Sequence, residues 1–578
     1  MTHVDPVDQA VISQALIAAA REMGVKLVRS AYSPVVREAS DCAAALLDRH
    51  GNVVAQAELI PMQLGPIGTT FRPCAEIHPV DDLVEGDFYI NNHPFAGGQH
   101  VPDVFLFTPI FVAGEVVGFG ATVAHHLDLG GGAPGLNPEA RDVYQEGILF
   151  PPSKWNMRRD WNGGPLERLV RANVRVPAQT IGDFNAQFAA NGIGVRRVQE
   201  LCARYGAATV TAAMAELLDY SERRMRAAIA DVPDGVYRGE AVLDDDGVGG
   251  APLAVRATVT VAGAEIHVDF AGTADQAPTN INCPFASTIA AALSCVKSVL
   301  TSPDIPFNEG SKRPIVVTAP YGSLVNPRPP APVRARMLSG YRVFNAVMSA
   351  LARVVPERVI AEGFDTTEVV CLSHLGDDGY RIYLEIFGGG YGASAQGDGC
   401  DAVDSPLSNC GNIPVESMDL DYDFFRVLEY SVRVGSGGAG RHRGGMGFCR
   451  RYLITRDQVS LATYGDRFVF APPGLFGGQP GARAATHVVR RGKRIPIGSK
   501  QSFALARGDV LVMLTGGGAG YGEPVERPRQ LVAQDLAEGL VAPAVARRLY
   551  RFGPASRSGH GAGPAAPDLE RTGHPAPA

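Results

Sequence analysis

The sequence predicts an α+β, multidomain protein with mixed β-sheets, a long helical hairpin and a β-rich C-terminal domain. Its 578 residues exceed the usual size of one domain. Apolar residues recur at helical spacing through residues 181–231, and short, glycine-punctuated strands fill residues 425–514. We therefore predict five segments: an α/β domain (1–180), a helical hairpin (181–235), a mixed α/β domain (236–424), a β-rich domain (425–525) and a short helix with a disordered tail (526–578).

The composition is that of a globular protein with a large core, since 46% of residues are hydrophobic and 20% are charged. The net charge of −7 and the lack of a long basic run argue against nucleic-acid or anionic-membrane partners. No apolar run approaches the roughly 20 residues of a membrane span, and the first residues lack the basic segment of a signal peptide. Nine scattered cysteines without a Cys-x-x-Cys motif indicate reduced thiols. We expect a cytoplasmic protein.

The first elements are predicted from helix-capping residues and from β-rich runs that flank a turn. Asp5-Pro6 predicts a helix start, and the apolar spacing extends that helix to about Ser30. Two β-rich runs around Gly51-Asn52 predict a hairpin, with Asp41 directly before its first strand. Residues 61–70 are predicted to be irregular and to precede a short helix. Residues 86–91 are predicted to form a strand.

The next hairpin carries the most informative side chains. Residues 104–112 and 116–124 are β-rich and flank a turn, with His100 and Asp103 before the first strand and His125 after the second. Because opposed residues of antiparallel strands lie roughly 5 Å apart, this hairpin brings the three side chains together. Imidazole nitrogen with carboxylate oxygen suits Zn, Mn or Fe. The alternative is that they are satisfied polar groups in a tight turn.

Later segments give weaker signals. Glu146 lies in a loop-rich stretch, where a turn or salt-bridge role is commoner than proton transfer. Arg334 and Arg336 follow a proline-rich connector, which predicts either a rigid surface loop or a site for a substrate carboxylate. The glycine-rich residues 388–399 lack Gly-Lys-[Ser/Thr], so they favour close backbone packing or an active-site turn over a nucleotide loop.

The ends of the predicted helices are also marked in the sequence. Gly206 is predicted to separate the two helices of the hairpin. Another helix is expected from Pro528 to about Leu549. The tail from Gly553 is rich in Gly, Ala and Pro, which predicts disorder.

Five long motifs resemble a known family. They read SPVVREASDCAAALLDRHGNVVAQ, GDFYINNHPFAGGQHVPDVFLFTPIF, VAHHLDLGGGAPG, YQEGILFPP and GSGGAGRHRGGMG, in that order between about residues 10 and 525. The chain resembles the hydantoinase B family, also called N-methylhydantoinase B or the acetone carboxylase alpha-type subunit. It is similar to the C-terminal half of 5-oxoprolinase as well. The pattern around Asp41 and the region near Arg334 depart from the family, which affects the substrate contacts more than the metal.

The resemblance implies a site and a partner. The family's metal ligands fall on Asp41, His100, Asp103 and His125, so it adds Asp41 and selects His125 over His126. The implied cofactor is a divalent transition metal, with zinc preferred over manganese or iron. ATP is expected on a hydantoinase A-type partner subunit, in a hetero-oligomer.

The implied reaction is ATP-dependent opening of a cyclic amide such as a hydantoin, an N-methylhydantoin or a 5-oxoproline-like lactam. Asp128 and Glu146 are our candidates for proton relay. Two alternatives stay open. One is a subunit of an ATP-dependent ketone carboxylase of the acetone or acetophenone type. The other is a non-catalytic assembly subunit that binds its partner through the helical hairpin.

Overall fold

The structure is a computed structural model that describes residues 4–404 and 406–553. The predicted α+β class, with mixed sheets, a helical hairpin and a β-rich C-terminal region, is confirmed. The tail predicted to be disordered lies, beyond Gly553, outside the described residues. No helix in the described part of the chain is long and apolar enough to cross a membrane.

The N-terminal part is one antiparallel sheet with helices on both faces. Its elements are α1 (Pro6–Ser30), α2 (Pro34–Arg37), β1 (Cys42–Asp48), β2 (Val53–Ala57), α3 (Pro61–Leu64), α4 (Ile67–Ile77), β3 (Asp87–Asn91), β4 (Asp103–Val112), β5 (Glu115–His125) and β6 (Ser153–Asn156). The strand order is β2-β1-β5-β4-β3-β6. Phe71 of α4 packs edge-on against Phe107 and Phe119 on one face. The sheet is thus buried on both sides and holds its strand ends rigidly.

The predicted helical hairpin covers the other face of this sheet. After α5 (Met157–Asp160) and α6 (Pro165–Asn173) come α7 (Pro177–Tyr205) and α8 (Ala207–Ala230), which Gly206 separates as predicted. Helix α7 packs on α1, β4 and β5 more extensively than on α8. Gln187 and Asn191 of α7 donate to main-chain carbonyls of β4. The hairpin therefore supports the sheet from behind.

A second, smaller sheet follows. It contains β7 (Gly235–Leu243), β8 (Leu253–Ala262), β9 (Glu265–Asp269) and β10 (Ile315–Thr318), with α9 (Phe285–Leu300), α10 (Glu309–Lys312) and α11 (Arg336–Leu351) in the same part of the chain. The strand order is β10-β9-β8-β7, and the β9–β10 pair is parallel. Helix α11 lies on β7 and β8 and against α9. A Cβ at Gly239 would come within 2.1 Å of the Ala346 carbonyl oxygen, so this helix approaches β7 closely.

The C-terminal part is a sandwich of two sheets. Its elements are β11 (Glu368–Gly376), β12 (Gly379–Phe387), α12 (Val415–Asp421), β13 (Phe425–Val432), β14 (Phe448–Ile454), β15 (Val459–Tyr464), β16 (Ala485–Arg490), β17 (Lys493–Ile497), β18 (Gln501–Leu505) and β19 (Val510–Leu514). The orders β12-β11-β15-β18 and β13-β14-β19-β16-β17 share one apolar core. Strands β11 and β12 precede the boundary predicted at 424/425; the domain division stays a prediction.

Glycine-rich segments pack backbone to backbone beside the sandwich. The Gly390 nitrogen donates to the Gly516 carbonyl at 3.0 Å, and the Gly518 nitrogen donates to the Gly445 carbonyl at 2.9 Å. A Cβ on Gly390 would lie 1.9 Å from the Gly445 oxygen, which is too close for any side chain. The glycine run at 388–399 therefore packs closely against other backbone, as the sequence favoured.

Two local predictions are wrong. Residues 61–70 are mostly helical because Pro61 occupies the first turn of α3, and α4 then tolerates an internal Pro73. The single helix expected after Pro528 is two helices, α13 (Arg529–Ala537) and α14 (Pro543–Leu549). Gly539 separates them in a left-handed conformation with φ of 74°.

Candidate functional site

The strand register assembles the candidate site. Asp103 and His125 are directly opposed at the open end of the β4–β5 hairpin, as the sequence predicts. Strand β1 pairs with β5 from Cys42 opposite Ala124, so Asp41 reaches the same end of the sheet. The main-chain nitrogen of His125 donates to the main-chain carbonyl of Asp41 at 3.0 Å. Three neighbouring strands thus deliver their terminal side chains to one place.

His100, Asp103 and His125 form a compact buried cluster. The Asp103 Oδ1 lies 3.0 Å from His100 Nε2 and 3.3 Å from His125 Nδ1. One ligand atom from each of the three residues falls within 4.8 Å of the others. The arrangement therefore presents two imidazole nitrogens and one carboxylate oxygen toward a shared point.

The cluster fits a transition metal chemically. His100 Nδ1 lies 2.9 Å from the Arg334 carbonyl oxygen, to which it must donate, so Nε2 carries the lone pair. Arg336 Nη1 lies 2.9 Å from this Nε2, and a metal bound there would replace that contact. Burial lowers the pKa of His100 to about 3 and that of His125 to about 4, so both imidazoles are neutral, as ligands must be. Nitrogen and carboxylate oxygen donors without thiolate suit Zn, Mn or Fe.

Asp41 lies at the edge of the cluster. Its Oδ2 is 3.6 Å from His125 Nδ1, and its Oδ1 accepts a hydrogen bond of 2.8 Å from Gln63 Nε2. Burial, reinforced by the neighbouring Asp103 charge, raises the pKa of Asp41 well above its ordinary value. A bound cation would favour its ionised form, so Asp41 is placed to serve as a fourth ligand.

Arg336 is a close neighbour of the cluster that the sequence did not assign to it. Its Nη2 donates to Asp103 Oδ2 at 2.6 Å, and its Nη1 lies 2.9 Å from His100 Nε2. Burial would raise the pKa of Asp103, but His100 and the Arg336 guanidinium outweigh it and hold that pKa well below its usual range. Arg336 thereby leaves Asp103 only Oδ1 for the shared point. The surface-loop interpretation of these arginines is wrong, since both are buried.

Glu146 acts on the cluster through the main chain. Its Oε1 accepts from the nitrogens of Val333 and Arg334 at 2.9 and 2.8 Å, which fixes the peptide whose carbonyl accepts from His100. Burial raises the pKa of Glu146 to about 8. Its Oε2 has no hydrogen-bond partner among the described residues. Glu146 therefore fixes the carbonyl that holds His100, and it lies one residue layer from the cluster.

Asp128 is not brought to the cluster. Its carboxylate accepts from the Arg175 main-chain nitrogen and from Arg175 Nη1, the latter at 3.1 Å. His126 points to the opposite side of the strand, where its Nε2 lies 3.0 Å from Gln187 Oε1. The geometry thus separates His125 from His126 and places the Asp128 carboxylate against Arg175. A proton-relay role for Asp128 stays a prediction.

A cavity adjoins the cluster. Its polar lining includes Asp41, His100, His125, Arg334 and Arg336, and its remaining wall is mainly aliphatic. Its volume of about 50 Å³ holds one or two water molecules. A ring-sized ligand would enter only if flexible wall side chains such as Met62 and Met337 moved.

Comparison with known proteins shows which family and which solved structures the chain is similar to. The family model described as Hydantoinase B/oxoprolinase matches residues 5–524. The B component of a putative D-/L-hydantoinase from Pseudomonas sp. (strain NS671) is 35% identical over 563 residues, covering 94% of each chain. The crystal structure of the ATP-dependent caprolactamase from Pseudomonas jessenii superposes with a TM-score of 0.86 at 29% identity, covering 95% of this chain and 96% of that chain.

The fold is also that of a nucleotide-free acetone carboxylase structure. The TM-score is 0.84 at 19% identity, covering 94% of this chain and 79% of that chain. The hydantoinase and caprolactamase matches extend over nearly the whole length of both chains, and the family match includes every strand of the candidate site. The chain therefore belongs to the hydantoinase B/oxoprolinase family.

Proposed function

We propose that this chain is the metal-bearing subunit of an ATP-dependent cyclic-amide hydrolase. Its substrate would be a hydantoin, an N-methylhydantoin or a 5-oxoproline-like lactam, and ATP would bind to a hydantoinase A-type partner subunit. The observation that carries the proposal is the buried His100, Asp103 and His125 cluster facing a largely aliphatic cavity. The relatives named above, a putative hydantoinase component and an ATP-dependent caprolactamase, support the same class of reaction.

The chemistry needs two kinds of activation. An amide C–N bond is stabilised by resonance, and phosphorylation of its carbonyl oxygen at the partner's ATP site would make the carbon more electrophilic. A divalent metal held by His100, Asp103, His125 and Asp41 would lower the pKa of water toward roughly 7. This pairing explains why one chain would hold a metal site while its partner holds ATP.

The chain's own residues would prepare that site. The Arg334 carbonyl fixes the tautomer of His100 so that Nε2 carries the lone pair, which a metal would take over from Arg336 Nη1. Arg336 holds Asp103 by one oxygen, so the other stays aimed at the cluster. Glu146 fixes the Arg334 peptide, a contact that supports a positioning role for it. Proton transfer by Glu146 would require movement, and Asp128 is committed to Arg175.

The test is turnover by the complex. The chain co-purified with its hydantoinase A-type partner should open a member of a lactam and hydantoin panel with stoichiometric ATP cleavage. The His100→Ala complex should not, because it lacks one ligand, whereas His50→Ala, in an exposed turn, should behave as wild type. ATP-independent turnover, or none across the panel, would contradict the proposal.

The same assay separates the alternatives. A ketone carboxylase would need bicarbonate and retain labelled carbon in its product. A purely structural role for this chain would leave the activity of the His100→Ala complex intact.

A further inference from the structure

In the part of the chain that the structure describes, every buried arginine but one is paired with a carboxylate. Seven arginines are buried in the described residues. Six have a carboxylate oxygen within 4.0 Å of the guanidinium, namely Arg336, Arg342, Arg443, Arg450, Arg467 and Arg527. Within residues 4–404 and 406–553, Arg334 has no such carboxylate, although only 7% of it is exposed. Burial of an unpaired charge is costly, so this exception needs a reason.

The surroundings of Arg334 do not supply a counter-ion. Its Nη2 donates to the Gly135 carbonyl, and its Nε is buried without a hydrogen-bond partner in the described chain. Glu146 accepts with Oε1 from the Arg334 main-chain nitrogen. Burial raises the pKa of Glu146 to about 8 although the Arg334 charge lowers it, so the carboxyl is mostly protonated near neutral pH. The Arg334 guanidinium carries five N–H donors, and a single neutral carbonyl accepts from it.

The position of Arg334 links it to the candidate reaction site. It lines the same cavity as His100, His125 and Asp41. Its charge is also among the influences that lower the pKa of His125. The remaining wall is mainly aliphatic, with Leu136, Leu384 and Ile386 among its side chains. A cation facing an aliphatic cavity attracts an anion more strongly than it would in water.

We infer that Arg334 is the binding residue for an oxyanion on the ligand of this cavity. This inference rests on the function proposed above and adds a substrate class to it. A guanidinium offers a planar fork that matches a carboxylate or a phosphate with two parallel hydrogen bonds. The oxyanion is either a carboxylate on the ring or the phosphoryl group acquired when the amide is activated.

The local charge balance supports an anionic ligand. Arg336 is already committed to Asp103, so it does not contribute a free positive charge. With Asp103 paired to Arg336, Asp41 alone would offset a divalent metal, so the metal and the Arg334 guanidinium together would leave two positive charges in excess. An anion at Arg334 would reduce this excess, whereas an uncharged lactam would leave the Arg334 charge unpaired.

The experiment measures ligand binding by the metal-loaded full chain with isothermal titration calorimetry. The probes are 5-oxoproline, 2-pyrrolidinone, which has the same ring without the carboxylate, and inorganic phosphate. The variants are Arg334→Met, Arg334→Lys and, as a control, Arg238→Met at an exposed position. Metal content and the circular dichroism spectrum report whether each variant keeps the fold. The His100 contact is to the Arg334 main chain, so these substitutions retain it.

If the oxyanion is a ring carboxylate, wild type binds 5-oxoproline at least about tenfold more tightly than 2-pyrrolidinone, as expected for hydrogen bonds to a charged group. Arg334→Met removes that preference and Arg334→Lys reduces it. If the oxyanion is a phosphoryl group, wild type binds phosphate, Arg334→Met loses it, and the two lactams bind alike.

Unchanged binding of all three probes by Arg334→Met would overturn the inference, as would the absence of any probe binding by wild type. The outcome is independent of turnover. Lactam opening by the complex with unaltered anion binding in Arg334→Met refutes only the role of Arg334. Arg334-dependent anion binding without lactam opening refutes only the proposed function.

Discussion

Replacing Arg336 with Met tests how the cluster is held together. The Arg336 and Asp103 side chains are 4% and 0% exposed, and their Nη2–Oδ2 distance is 2.6 Å. Removing one partner of a buried ion pair costs about 3–5 kcal/mol, because the remaining charge is left unpaired. With an unfolding entropy of about 2.1 cal/mol/K per residue, a cooperative unit of 578 residues would lose about 2.5–4 °C in Tm.

The metal should reduce this loss. A divalent cation bound to Asp103 Oδ1 supplies the positive charge that the guanidinium otherwise provides. Thermal melting of wild type and Arg336→Met is therefore compared in EDTA and in excess zinc, and we expect the deficit of the variant to be smaller with zinc. Arg238→Met is the control and should melt as wild type in both. An equal deficit in both conditions, or none in EDTA, would refute this account of Arg336.

Three further changes test other parts of the structure. Burial raises the pKa of Glu146 to about 8, so its contribution to stability is full below about pH 4.5 and is lost as the pH rises through 8. Glu146→Gln should therefore flatten the dependence of unfolding free energy on pH over that range, by about a few kcal/mol. Urea melts measure this dependence, and the same pH dependence in the variant and in wild type would contradict the prediction. Gly390→Ala should destabilise the protein by roughly 1–3 kcal/mol or more, since its Cβ would lie 1.9 Å from the Gly445 oxygen. Gly397→Ala is the control, because a Cβ there meets open space. Equal melting temperatures of the two variants would contradict this prediction. Asp128→Asn should lower Tm, because it weakens the contact with Arg175, and should retain the metal. Loss of metal, measured by elemental analysis, would show that Asp128 belongs to the metal site.

The sequence predicted the parts of the site that depend on local structure. Turn residues and alternation define the β4–β5 hairpin, and antiparallel pairing then requires Asp103 and His125 to be opposed. Asp41 directly precedes β1, whose pairing with β5 is not encoded locally, so only the resemblance assigned it to the site. Helix α7 was predicted from its periodicity, but its packing on the sheet was not.

The contacts that tune the site come from distant segments. Arg336 is separated from Asp103 by 233 positions, and no local pattern predicts that pair. One signal was present: two arginines alternate with apolar residues in Val333–Leu338, which is unusual for a surface loop. Asp128 was assigned to the site because it follows His125 closely, but the chain turns away and Arg175 binds its carboxylate.

The most direct test of the central claim is metal content. Elemental analysis of wild type, His100→Ala and His50→Ala, purified identically and each also co-purified with the partner subunit, measures bound metal per chain. The account predicts about one divalent transition metal per chain in wild type and in His50→Ala, and its loss in His100→Ala. Little metal in wild type in both preparations, or undiminished metal in His100→Ala, would contradict it.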